Sequence, residues 1–190
     1  MEILVTNDDG VQAPSLLALV QALRKLDANI TVLAPERNWS ASGHVKTMHR
    51  PLRLSPTVLA DGSSAWQSDG APSDCVALAM MGALEQDFDL LVSGINPNAN
   101  IGLDVTYSGT VTAAMEASIW GKPGIAVSLD APENHHGRVD FRSAAETAAQ
   151  LTWQLAERAN GTHPAPIYNI NIPYRPEGDY AGVMLSLIHI

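Results

Sequence analysis

Short apolar runs recur along the chain, and most are followed by a polar stretch and then a segment of helical periodicity. Uninterrupted apolar runs of strand length read as strands buried on both faces of a parallel sheet. Ile3-Leu4-Val5 is the first. Residues 29–34 (NITVLA), 88–92 (FDLLV), 124–129 (GIAVSL) and 167–172 (IYNINI) follow. Between them, apolar residues recur at helical spacing. Residues 13–26 place Leu16, Leu19, Val20 and Leu23 on one face, with Pro14 suited to a first helical turn. Residues 72–84, 111–120 and 141–158 repeat the pattern with Val76 and Ala79, Ala113 and Ala117, and Ala148 and Leu155. Alternating strands and helices predict an α/β fold. The expected architecture is three-layer and Rossmann-like, a mostly parallel sheet with helices on both faces. One domain spans residues 1–190. A hairpin or meander interrupts the rhythm, with weak alternation over 45–54, a turn-like stretch over 55–64 and a short strand at 66–68.

The polar stretches hold the candidate chemistry. In MEILVTNDDG, residues 1–10, Asp8 and Asp9 follow the first strand at its carboxyl end, where open α/β sheets bind ligands. Adjacent carboxylates repel and raise each other's pKa. A shared divalent cation relieves the repulsion, and hard oxygen ligands suit Mg²⁺, Mn²⁺ or Ca²⁺. The alternative is an ordinary Asp-Gly turn. The glycine fingerprint of dinucleotide-binding folds is missing from this first turn.

Residues 35–44 (PERNWSASGH) form a loop at the same sheet end. Ser40 and Ser42 offer hydroxyls, and His44 a group titrating near neutrality. A plain surface loop is the alternative. Residues 93–112 (SGINPNANIGLDVTYSGTVT) make a long Gly/Asn-rich loop, and loops of that length are usually functional when not disordered. It offers Asn96 and ends in Ser108-Gly109-Thr110 at the start of a helix. Exposed amides and a positive dipole end there favour an anion, phosphate first. The alternative is a simple N-cap by Ser108 or Thr110. His135 and His136 are adjacent and point apart, which argues against a metal pair.

Composition narrows the partners. A formal net charge of −9, from 20 acidic and 11 basic residues, argues against a nucleic-acid polymer. It leaves room for a small phosphate ligand. The single Cys75 permits no internal disulfide and fits a reducing compartment. No segment reads as a signal peptide or a bilayer span, so a cytoplasmic location is expected. Residues 182–190 (GVMLSLIHI) are apolar to the last position. Either the chain stops part-way through a longer protein, or this last strand is expected to pair with something outside it.

Taken in order, the motifs resemble the SurE (survival protein E) nucleotidases. The matching pieces are ILVTNDDG at 3–10, AP-E-R-x-x-S at 34–40, G-x-P-x-D-C-V at 70–76 and SGIN at 93–96. N-x-G-x-D at 100–104, YSGTV at 107–111 and NINIP at 169–173 complete the series. The resemblance implies a metal-dependent phosphatase acting on nucleoside 5′- and 3′-monophosphates, with one Mg²⁺ or Mn²⁺ per subunit. It assigns Asp8, Asp9, Ser40 and Asn96 to the metal. Asn96, Ser108, Gly109 and Thr110 fall to the phosphate, and Asp8, Asp9 and Asn96 to catalysis. Either attack by a metal-activated water or direct attack by Asp8 is compatible, with His44 a candidate acid for the leaving group. Trp39 and Tyr107 are placed to stack on a base. Two departures stand out. Asn98 replaces a common glycine, and the family continues past residue 190 into a segment used in dimers and tetramers.

Other readings differ in kind. A dehalogenase-type phosphatase wants Asp-x-Asp, not adjacent acids. A receiver domain wants an acceptor Asp after its third strand and a Lys after its last, and neither is evident. A non-catalytic metal- or nucleotide-binding module, or an inactive fragment, is the remaining alternative.

Overall fold

The structure, a computed structural model, describes residues 1–131, 138–159, 161–175 and 177–186. His135 and His136 lie outside the described residues. Seven strands form one sheet in the order β3-β4-β2-β1-β5-β6-β7. They are β1 (Glu2–Thr6), β2 (Asn29–Pro35), β3 (Leu54–Val58), β4 (Ser64–Ser68), β5 (Leu90–Asn96), β6 (Gly124–Asp130) and β7 (Ile167–Pro173). Every pairing is parallel except the β3·β4 hairpin. The expected parallel α/β sheet is therefore present.

The four α-helices divide between the sheet faces because successive strand residues alternate sides. Ile3, Val5, Val92, Ile125 and Val127 pack with Leu16, Leu19 and Leu23 of α1 (Pro14–Leu23) and Ala145 and Ala148 of α4 (Arg142–Ala159). On the other face, Leu4, Leu33 and Leu91 pack with Cys75 and Val76 of α2 (Pro72–Met80) and Ala113 and Ala117 of α3 (Gly109–Ile119). The small residues of α3 let its backbone come close to the sheet. At Gly124 of β6, a Cβ would sit 2.7 Å from the carbonyl carbon of Ala114.

Several boundaries differ from expectation. The third strand is Leu54–Val58, all but its first residue in the stretch that composition marks as a turn. Pairing with β4 puts Pro56 opposite Trp66 there, and an edge strand tolerates a proline. Residues 45–53 belong to no strand; their segment is held by α2 and α3, as described below. The long loop is shorter than expected, since β5 runs on to Asn96 and a 3₁₀ turn occupies Gly102–Thr106. Residues 181–186 form no strand, and Val183, Met184 and Leu185 are exposed.

Candidate active site

The carboxyl end of β1 turns sharply, and the side chain of Asn7 closes that turn. Its Nδ2 donates to the Gly10 carbonyl at 3.0 Å, and its Oδ1 accepts from the Gly10 amide at 3.2 Å. Asn7 is buried, so the clamp works shielded from water. It holds Asp8 inward, at 4% exposure, and leaves Asp9 partly exposed.

The second loop leaves β2 beside it. The Val11 amide donates to the Pro35 carbonyl, and the Trp39 amide donates to the Asp8 carbonyl at 2.7 Å. Asn38 joins the loops through its side chain. Its Nδ2 donates to Asp9 Oδ1 at 3.1 Å, while its Oδ1 accepts from the Ser40 amide at 2.7 Å. Asn38 thus ties together two residues expected to share a metal. Ala41 follows Ser40 at φ +56°, a left-handed conformation uncommon for alanine, so the turn presenting Ser40 is strained.

The third contribution comes from β5 and α3. The β1·β5 pairing sets Thr6 beside Ser93, so residues 8–9 and Asn96 leave neighbouring strands at the same edge. A register irregularity between Ser93 and Asn96 re-aims the end of β5. It depends on Gly94, at φ +139°, where a Cβ would overlap the Val127 carbonyl oxygen of β6. Asn96 Nδ2 donates to the Asn98 carbonyl, so its Oδ1 is the side-chain atom left to accept. Asn98 itself does not take the left-handed conformation that a substituted glycine would suggest.

At the start of α3 the N-cap alternative is realised, and a carboxylate of the chain itself lies at the helix terminus. Ser108 is the N-cap, its Oγ accepting from the Val111 amide at 3.1 Å. Thr110, fully buried, donates its hydroxyl to Asp8 Oδ1 at 2.8 Å. The absence of a side chain at 109 makes this approach possible, since a Cβ there would lie 2.8 Å from the Cβ of Asp8. Asp8 therefore occupies the anion position at the positive end of α3.

The electrostatics of the two acids differ. Burial pushes the Asp8 carboxyl up, and the Thr110 hydroxyl opposes this, helped less by the amides of residues 109 and 110. Burial, then repulsion from Asp8, pushes Asp9 up to about 6, against the Asn38 hydrogen bond. The protein alone does not compensate the pair, and added positive charge would. The two carboxylates, the Ser40 hydroxyl and the Asn96 amide oxygen, expected from the sequence to share a cation, are all oxygen donors. The chemistry of that set fits a hard divalent cation. Among the described residues no cluster of three His, Cys, Asp or Glu exists, so any such site must draw on neutral oxygens.

Two further residues singled out in the sequence have partners within the chain. His44 Nε2 lies 2.8 Å from Glu116 Oε2 on α3, which anchors the ring to that helix. One face of the Trp39 indole is covered by the Arg37 guanidinium, 4.3 Å from the ring centroid. Tyr107 stays 64% exposed at the mouth of the site. Asn7, Asn38 and Glu116 are the residues that sequence reasoning passes over. A polar side chain three before Gly10 and an Asx turn two before Ser40 were the available signals for the first two.

Comparison with known proteins follows the same lines. The family model described as Survival protein SurE matches residues 3–188. The 5′-nucleotidase SurE of Chloroflexus aggregans is 47% identical over 186 residues, covering 98% of this chain and 72% of that protein. The 5′-nucleotidase SurE of Geobacter sulfurreducens is 44% identical, covering 98% and 67%. The crystal structure of the SurE protein from Aquifex aeolicus superposes with a TM-score of 0.78 at 37% identity, covering 93% of this chain and 68% of that one. The chain thus spans roughly two thirds to three quarters of the length of these relatives.

Proposed function

The chain belongs to the SurE family, and from that membership we propose that it is a phosphatase hydrolysing nucleoside 5′-monophosphates to nucleoside and inorganic phosphate. The observation that carries the reading is the convergence of three loops at one sheet edge. Asn38 links the Ser40 loop to Asp9, and Thr110 links the α3 terminus to Asp8. By the family resemblance the reading extends to 3′-monophosphates and to one Mg²⁺ or Mn²⁺ per subunit.

Asp8, Asp9, Ser40 and Asn96 would hold the cation. A bound divalent cation supplies Lewis-acid chemistry, neutralising charge that develops on the phosphoryl oxygens. The remaining work belongs to the chain. The Ser108 hydroxyl, the Asn96 amide and the first amides of α3 orient the phosphate, with Asp8 sharing those α3 donors. Asp9, the more exposed carboxylate, takes the proton of the attacking water. The exposed Tyr107 ring offers a surface for the base.

The rest of the reading concerns setting. Among the described residues no helix is long and apolar enough to cross a membrane. We place the protein in the cytoplasm, acting on small nucleotides as a homodimer or tetramer. Phosphate release from 5′-AMP, measured with Mn²⁺ or Mg²⁺ and again after EDTA, tests the activity. Release that EDTA abolishes is the expected result. Equilibrium binding of AMP without release over hours would overturn it in favour of a binding module.

A further inference from the structure

Glu116 is a buried carboxylate that the proposed chemistry does not use. Its side chain is 2% exposed, on the same helix that begins at Gly109. Burying a charge is costly unless every lone pair finds a donor. Here three donors converge. Oε2 takes Nε2 of His44 at 2.8 Å, and Oε1 takes Nζ of Lys46 at 2.5 Å and Nε1 of Trp120 at 2.7 Å. Burial alone would push the carboxyl up, but the Lys46, His44 and Trp120 hydrogen bonds outweigh it and hold it below its ordinary value. A carboxylate in that state accepts only, so His44 must donate.

His44 and Lys46 lie on the segment that carries Ser40. They are two residues apart, so in an extended stretch they face the same way. Across the intervening residue, the Val45 carbonyl accepts from Ser73 of α2, and Thr47 bonds Asp74 through amide and hydroxyl. Residues 44–47 therefore lie between the two helices. Nearer Ser40, the Gly43 amide donates to the Tyr107 carbonyl, and the Gly43 carbonyl accepts from Thr112. Ser40 sits on an arc with Asn38 and Trp39 at one foot and this α3-bound stretch at the other.

We propose that Glu116 is a positioning residue. By gripping His44 and Lys46, it fixes the Ser40 arc to α3, and so sets Ser40 in register with Asp8, Asp9 and the first turn of that helix. One helix then determines both the anion-binding terminus and the placement of a metal-ligating hydroxyl. This rests on the proposed reading that Ser40 binds the cation.

The test compares wild type, Glu116→Ala, Glu116→Gln and the double variant His44→Ala/Lys46→Ala. Mn²⁺ affinity is measured by calorimetry and amide exchange is followed over residues 40–46. Glu116→Ala is expected to weaken Mn²⁺ binding about tenfold, in line with the loss of a residue that orients a ligand. Exchange over 40–46 should quicken. Glu116→Gln, which keeps an acceptor for Lys46 and Trp120, should recover part of the affinity. The double variant should reproduce the loss; because it strands the buried Glu116 carboxylate, the single variants His44→Ala and Lys46→Ala, each keeping one charged partner, decide the matter if it or Glu116→Ala fails to fold. Wild-type Mn²⁺ affinity in the double variant, or weakened affinity without quickened exchange, would overturn the proposal. Absence of Mn²⁺ binding by the wild type would instead overturn the metal reading itself.

Discussion

The Thr110 hydroxyl donates to Asp8 Oδ1 at 2.8 Å, joining residues 102 positions apart in the chain. The bond forms because β1 and β5 pair in parallel and α3 drops its first turn onto the end of β1, with glycine at 109 leaving room. It makes the buried aspartate part of the helix terminus, so carboxylate, dipole and any bound phosphate act on one another.

Asp8→Asn and Asp9→Asn should each abolish measurable Mn²⁺ binding by calorimetry and lower phosphate release at least about a hundredfold, the scale of losing a central charge-stabilising group. Both variants should melt cooperatively. Each removes a carboxylate whose charge the fold disfavours, so the metal-free melting temperature should hold or rise.

The pH dependence has a definite sign. Asp8 and Asp9 both titrate above their ordinary range in the folded protein, Asp9 at about 6. The contribution of Asp9 to metal-free stability is therefore full below pH about 4 and lost as pH rises through about 6, and that of Asp8 has the same sign. Metal binding runs the other way, because it requires both carboxylates deprotonated. Thermal melts from about pH 4.5 to about pH 7.5 should show a Mn²⁺-induced rise in melting temperature that vanishes below about 6. A rise independent of pH would contradict the assignment of Asp9.

Asn38→Ala removes the bridge between Asp9 and the Ser40 amide. Asn38 is exposed, so stability should change by less than about 0.5 kcal/mol. Mn²⁺ affinity should fall about tenfold in calorimetric titration, since two candidate ligands lose their common support.

Gly94→Ala should be severe. The new methyl would overlap the Val127 carbonyl oxygen from a backbone conformation at φ +139°. A loss of about 3 kcal/mol or more in denaturant titration is expected, with Asn96 displaced and activity lost together.

Much of this molecule is legible in its sequence, for identifiable reasons. The runs at 3–5, 88–92 and 124–129 are apolar without alternation because helices cover both faces, and that pattern marks a parallel sheet. Asp8, Asp9, Ser108 and Thr110 stand out because their positions at strand and helix ends have chemical meaning. The β3 strand does not, since LSPTV at a sheet edge carries a proline and is only partly buried. His44 stands out because a titratable ring beside a serine-rich loop suggests catalysis. Only the fold reveals Glu116, seven residues into α3, as its partner. Asn38 is overlooked because an exposed asparagine in a loop looks ordinary until its two bonds are seen together.

The place of β1 in the sheet bears on synthesis. Its neighbours are β2, which follows it closely, and β5, which begins only at Leu90. While the chain is being made, β1 can gain its first partner early but must keep its other edge unpaired until residues 90–96 have left the ribosome. The two aspartates wait longer still, solvated and without their helix, until α3 has followed. The candidate site thus takes shape only after α3 has been made, although its two acids lie about a hundred residues earlier in the sequence.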